Sequence, residues 1–178
     1  MAQLHHTDLW NWKDKEYRFD VYLSEEFPEM DKIRQVYVLV ISKDKQKVLL
    51  VYNKEGLWLL PGGTVEKGEN VENTLVREVK EETNRDVQVG SIQPFFYQEA
   101  FTKGENGQWN SDGYQVRLLV FVDKDNEFES DPDEGDTIKA EWVPVKDISK
   151  YLDWQNTTTM ISEHIQEYIE KMSERVKI

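Results

Sequence analysis

The chain contains no cysteine. That excludes disulfides, thiolate nucleophiles and cysteine-based zinc sites. Basic residues are also scarce, with 22 Lys and Arg against 35 Asp and Glu, for a formal charge of −13. Such a balance argues against a nucleic-acid polymer as partner, because a phosphate-backbone footprint needs clustered cations. A phosphate-bearing small molecule stays possible, since a bound metal can supply the positive charge. Long apolar runs are missing. VYVLVI (36–41) and VLLVY (48–52) are far too short to cross a bilayer and read as buried strands. The first twenty residues are polar and aromatic, without the apolar core of a signal peptide. The expectation is a cytoplasmic protein with no membrane partner. The three histidines, His5, His6 and His164, are scattered and form no Ser/His/Asp pattern.

What the chain does have is material for one packed domain. It holds 178 residues, 38% of them hydrophobic and 12% aromatic. Residues 1–30 read as an N-terminal elaboration and 31–178 as the main domain. The elaboration carries Trp10, Trp12, Tyr17, Phe19, Tyr22 and Phe27. They suit the covering of a sheet edge or the contacts of a homodimer. A weakly alternating strand is expected over 17–24. Residues 35–42 and 47–53 read as a hairpin, and 57–60 as a short strand before Pro61-Gly62-Gly63. Strands are expected over 86–98 and 114–122, joined by a loop TKGENGQWNSDG, and again over 139–145. The span 124–136 is strongly acidic and reads as a surface loop. A turn of helix is expected within 145–152. A C-terminal helix within 156–176 would bury Met160, Ile161, Ile165, Ile169 and Met172. Mixed strands and helices point to an α/β or α+β layered fold.

The chemistry concentrates in GTVEKGENVENTLVREVKEE, residues 63–82. Asn70 is placed to cap a helix over 71–83, and Asn84 can take the left-handed turn that ends it. Val71, Leu75, Val76 and Val79 form its apolar stripe. Glu78, Glu81 and Glu82 fall three and four residues apart, so they should project together. Clustered carboxylates repel unless a cation sits among them, and a hard divalent ion such as Mg²⁺ suits oxygen donors. The glycine turn at Gly62-Gly63 lets the backbone approach a ligand closely.

This stretch resembles the Nudix box, G-x5-E-x7-R-E-U-x-E-E-x-G-U, with U a bulky apolar residue. Gly63, Glu69, Arg77, Glu78, Val79, Glu81 and Glu82 match seven of its positions. Asn84 stands where the pattern has glycine, and Arg85 where it has an apolar residue, a packing task that Val87 is expected to assume. The resemblance implies an α/β/α sandwich with a mixed sheet between helices, and a hydrolase that cleaves phosphoanhydride bonds of nucleoside diphosphate-linked substrates. It implies Mg²⁺, with Mn²⁺ as a substitute. Glu78 and Glu82 would be the leading metal ligands, Glu81 a third, and the Gly62 carbonyl another. Arg77 would pair with Glu69 and brace the loop.

The general base is left open among Glu78, Asp133, Glu134, Asp136 and Glu141. Candidates for substrate contact are Phe96, Phe101, Glu134 and Glu141; Trp142 reads as core. The leading activity is that of a MutT-like nucleoside triphosphate pyrophosphohydrolase. An ADP-ribose or nucleotide-sugar pyrophosphatase is the alternative. A non-catalytic nucleotide sensor would be expected to lose box glutamates, and this chain keeps them. A diphosphate isomerase of the family would need a catalytic cysteine.

Overall fold

A computed structural model describes residues 2–87, 92–123 and 136–176. The strands are β1 (His6–Trp12), β2 (Lys15–Leu23), β3 (Ile33–Ser42), β4 (Lys47–Asn53), β5 (Trp58–Leu59), β6 (Gly62–Thr64), β7 (Gln93–Lys103), β8 (Trp109–Val122) and β9 (Thr137–Pro144). The helices are α1 (Val71–Thr83) and α2 (Gln155–Val176). The strands make one sheet in the order β1-β2-β7-β8-β3-β4-β5, with β6 on β3 and β9 on β4. Among the described residues only β3 and β8 run parallel. Their inner segments, residues 36–41 and 118–122, are continuous apolar runs, as a parallel pair covered on both faces must be.

Strand alternation divides the core in two. Val36, Val38 and Val40 of β3, with Val116, Leu118 and Val120 of β8, pack under Val71, Leu75 and Val79 of α1. Leu39, Ile41, Leu119 and Phe121 point the other way, onto Met160, Ile161, Ile165, Ile169 and Met172 of α2. The result is the expected α/β/α sandwich. Among the described residues no helix is long and apolar enough to cross a membrane.

Helix α1 has the predicted bounds and caps. The Asn70 side chain accepts from Asn73 N at 2.8 Å, and Asn84 takes φ 55°, ψ 27°. Three expectations need correction. Residues 86–98 are not one strand: β7 begins at Gln93, and 88–91 lie outside the described residues. The loop expected between β7 and β8 is mostly strand. Phe101, Thr102 and Lys103 pair with Ser111, Asn110 and Trp109, leaving only residues 104–108 as turn. Its polar side chains bond across the ladder, Thr102 to Asp112 at 2.6 Å and Ser111 to Glu99 at 2.6 Å, so hydrophilicity there marks a solvated sheet end. Arg85, whose packing task was expected to pass to Val87, is itself buried. Its guanidinium lies 5.7 Å over the Trp142 ring and donates to Asp123 O, while Val87 packs beside the α1 core.

The N-terminal residues are built into the sheet. β1 and β2 form a hairpin whose turn residues, Lys13 and Asp14, both have positive φ, at 48° and 62°. β2 pairs with β7 from Tyr17↔Thr102 to Leu23↔Phe96. The hairpin is also tied to α2. Buried Asp8 of β1 accepts from Thr157 N at 3.1 Å, Thr157 Oγ1 at 2.9 Å and Asn156 Nδ2 at 2.8 Å. A carboxylate there satisfies orphan donors at the start of α2 and opposes the helix dipole. Asp8→Ala leaves those donors buried without an acceptor, at a cost of roughly 1–3 kcal/mol. The expected outcome is a melting temperature lower by about 5 °C in a thermal scan. An unchanged melting temperature would contradict this latch.

Candidate active site

Gly62 and Gly63 lie on β6, against Tyr37 and Val36 of β3. Both positions exclude a side chain, for different reasons. At Gly62 (φ 144°) a Cβ would fall 2.1 Å from Val36 O. At Gly63 it would fall 2.4 Å from Glu78 Oε1. The turn is thus pressed against the carboxylates of α1. On its other side, Gly62 N donates to Glu82 Oε2 at 2.7 Å. Thr137 Oγ1 of β9 donates to Glu82 Oε1 at 2.8 Å.

Arg77 holds the rest together. Its Nε donates to Glu69 Oε1 at 2.8 Å and Nη2 to Glu69 Oε2 at 3.0 Å, a two-pronged pairing that favours arginine over lysine. Nη1 reaches Glu78 Oε1 at 2.9 Å and Glu81 Oε2 at 3.1 Å, and Nη2 reaches Thr64 O at 3.3 Å. Glu69 also accepts from Thr74 Oγ1 and Glu66 N. Arg77, then Thr74 and the backbone, hold the Glu69 carboxyl down to about 2, from an ordinary 4.5. Glu78 moves the opposite way. Burial raises it, Glu81 and Glu69 add to the rise, and the pull of Arg77 does not cancel them.

The three glutamates do not converge as helix spacing alone implies. Arg77 gathers Glu78 and Glu81, while Glu82 is drawn to Gly62 and Thr137. Among the described residues no three acidic or histidine side chains are arranged around one point. The donors are nonetheless of the right kind for a hard divalent cation, being carboxylate oxygens beside a side-chain-free turn. The rise of Glu78 comes first from its burial.

Other expected site residues lie elsewhere. Phe96 is a core residue, 1% exposed, against Phe95. Phe101 carries Arg18 4.0 Å over its ring. Glu141 is exposed and bonds Lys139 at 3.1 Å. Asp136 is exposed, and its carbonyl accepts from Lys54 N. Asp133 and Glu134 lie outside the described residues. Trp142 packs beside the α1 core.

A cleft that the sequence reading missed opens on the α2 side. Its volume is about 590 Å³. Trp10, Trp12, Tyr17 and Phe19 of the N-terminal hairpin line it, with Trp154 from the approach to α2. Tyr37, Arg117, Gln98 and Gln115 come from the sheet, and Thr64 links it to the glycine turn. Tyr37 joins the two regions: burial raises its hydroxyl pKa, Arg117 pulls it down, and Glu82 and Glu78 push it up. A signal for this cleft was present. Trp10/Trp12 and Tyr17/Phe19 repeat at a spacing of two, which places each pair on one strand face.

Two outcomes test this geometry. Arg77→Ala should lower the melting temperature at neutral pH by a few degrees, for a loss of roughly 1–3 kcal/mol. The acid dependence has a fixed sign. A depressed carboxylate stabilises the fold fully above its unfolded value and loses that contribution as pH falls through the folded one. The Glu69 contribution therefore disappears between about pH 4.5 and about 2, and Arg77→Ala should flatten stability across that window. Parallel wild-type and mutant curves would rule out the bracing pair.

A family model described as "NUDIX domain" matches residues 31–163. The putative 8-oxo-dGTP diphosphatase of Bacillus subtilis (strain 168) is 36% identical over 93 residues, which cover 47% of this chain and 62% of that protein. The ADP-ribose pyrophosphatase of Methanocaldococcus jannaschii is 47% identical over 57 residues, 30% of this chain and 33% of that protein. The matched stretches thus span less than two thirds of either relative. The crystal structure of the Bacillus subtilis pyrophosphohydrolase BsRppH superposes with a TM-score of 0.61 at 19% identity, covering 90% of this chain and 97% of that one. Fold, glycine turn, braced carboxylate helix and a family match over three quarters of the sequence carry one conclusion: this chain belongs to the Nudix family.

Proposed function

We propose that this chain hydrolyses a phosphoanhydride bond in a nucleoside triphosphate, releasing pyrophosphate, with Mg²⁺ as its metal and Mn²⁺ as a substitute. The observation that carries the reading is the placement of Gly62-Gly63 between two carboxylates. Glu82 holds the Gly62 N–H, and Glu78 fills the space where a Gly63 side chain would stand. Backbone and carboxylates together gather oxygen donors at the glycine turn, next to Thr64, which lines the aromatic cleft. Placement of this kind is what phosphoryl chemistry needs, because its catalysis is mostly positioning and charge stabilisation.

The roles follow from contacts. Glu78 and Glu82 would hold the metal, with Glu81 as a third ligand and the Gly62 carbonyl as a fourth. A divalent ion in that position neutralises phosphate oxygens and acidifies water. Arg77 keeps Glu69 and the loop fixed to α1. Glu78, which lies against the glycine turn, is the carboxylate proposed to accept a proton from the attacking water. The cleft, about 590 Å³, has the size of a nucleotide seat, and its rings suit a base.

The similarity to the 8-oxo-dGTP diphosphatase supports a triphosphate substrate. The local identity to the ADP-ribose pyrophosphatase favours a second reading, in which a nucleoside diphosphate joined to a sugar is split instead. A hydrolysis panel with Mg²⁺ and Mn²⁺ separates them: pyrophosphate from nucleoside triphosphates is the expected product, and AMP from ADP-ribose would favour the second. Metal-dependent turnover of neither would leave a nucleotide-sensing domain.

Two substitutions test the site itself. Glu82→Gln should lower kcat at least about a hundredfold with the fold intact, since one ligand charge is gone. Turnover near wild type in saturating Mg²⁺ would remove Glu82 from the metal. Gly63→Ala meets only the end of a flexible Glu78 side chain. It should therefore keep the melting temperature within a few degrees while cutting turnover about tenfold or more by displacing Glu78. Full activity would show that Glu78 need not lie against the turn.

A further inference from the structure

Arg117 of β8 is a charged group that the proposed reaction does not use. It is 5% exposed and borders the cleft. A guanidinium carries five N–H donors. Gln115 accepts two of them, Nη1 through its backbone carbonyl at 3.2 Å and Nη2 through its side chain at 3.1 Å. Nε is buried with no partner. No carboxylate among the described residues forms an ion pair with Arg117. Its surroundings are rings instead, Tyr37 at 4.8 Å, Phe96 at 5.5 Å and Trp154 at 5.7 Å. Burial pulls its pKa down to about 10, so it remains charged at neutral pH. A desolvated cation held this way costs stability that a ligand with acceptor atoms would recover.

The neighbours narrow the ligand. A phosphate seat gathers several cations and backbone N–H groups, whereas Arg117 is flanked by neutral amides. Gln98 Nε2 donates to Gln115 Oε1 at 2.9 Å, and that same oxygen accepts from Arg117. Gln98 is thereby oriented with its own Oε1 as the remaining acceptor. Donors from Arg117 beside an acceptor on Gln98, between aromatic walls, complement a flat ring bearing acceptors next to N–H groups. Guanine and hypoxanthine have a carbonyl at position 6 next to N1–H. Adenine has an amino donor there, which would face the arginine donors.

We propose that Arg117, with Gln98 and Gln115, selects a 6-oxopurine base, seated against the wall that the N-terminal hairpin supplies through Trp10 and Phe19. The proposal rests on the reading of the cleft as the nucleotide seat. Arg117 acts here as a specificity residue, and the carboxylates of α1 remain the chemical machinery.

Calorimetric titration of the full chain with GMP, IMP and AMP, without metal, tests it. GMP and IMP should bind about tenfold tighter than AMP, and Arg117→Met should bring the three within about twofold of one another. Arg117→Met removes an unpaired buried charge, so its melting temperature should hold or rise. Arg117→Lys keeps the charge but loses the planar fork, and it too should lose the preference. Equal affinities in the wild type, no binding of any of the three at millimolar concentration, or a preference that survives Arg117→Met would overturn the proposal. So would inorganic phosphate binding that Arg117→Met abolishes, because charge rather than the base edge would then be read. The hydrolase reading fails separately: a 6-oxopurine preference that depends on Arg117, with no metal-dependent turnover, sinks that reading and leaves this one standing.

Discussion

Arg77 is the group on which the site depends. One guanidinium contacts Glu69, Glu78 and Glu81 at 2.8 to 3.1 Å, in a chain whose net charge is −13. Remove it and three carboxylates face one another at partly buried positions. The loop from the glycine turn to α1 would then lose its main tie to the helix, because Glu69 is the loop residue that Arg77 grips from two sides. The placement of Gly63 against Glu78 depends on the same tie. Arg77 also divides the carboxylates by role. Glu69 is held far below its ordinary range and stays a permanent anion. Glu78 is raised, because burial outweighs the single bond it receives. Arg77 fixes one carboxylate as an anion, while burial raises its neighbour against the pull of the same cation. Acid and metal chemistry need that separation.

The sequence disclosed what short-range physics controls. Helix α1 was readable to the residue, since its cap at Asn70, its stripe at Val71, Leu75 and Val79, and its left-handed Asn84 are all local signals. The bracing pair was readable only through the resemblance to the Nudix box, because Glu69 lies in the loop before α1. What was hidden depends on partners distant in the chain. Asp8 bonds Thr157 and Asn156, about 150 positions away. No local pattern announces such a cap. The outer ends of β7 and β8 looked like a loop because both faces are solvated there, and polar strands lose the alternation that marks them. Arg85 and Arg117 were passed over for a related reason. A buried arginine looks like a surface one until the aromatic rings that accept it are known. Helical spacing also implied too much for Glu82. It set the direction of the side chain, but the Gly62 N–H and Thr137 decide where the carboxylate rests.

The division of labour within the chain follows from these long contacts. The Nudix match covers residues 31–163, which includes the turn, α1 and Arg117. Trp10, Trp12, Tyr17 and Phe19 precede that region, yet they form a wall of the cleft. The hairpin that carries them stays in place through two attachments, the β2–β7 ladder and the Asp8 cap on α2. Both attachments use residues at the cleft margin: Gln98 and Ala100 lie on the paired strand, and Trp154 just before the capped helix. The wall is therefore registered to the floor through the same backbone that positions Gln98 against Gln115 and Arg117. Tyr37 then carries the floor to the carboxylates, since its hydroxyl senses Arg117 from one direction and Glu78 and Glu82 from another. A base held between hairpin and floor would have its phosphates led toward Thr64 and the glycine turn. A wall built before the family region is thus joined to the site built inside it, through a sheet shared by both.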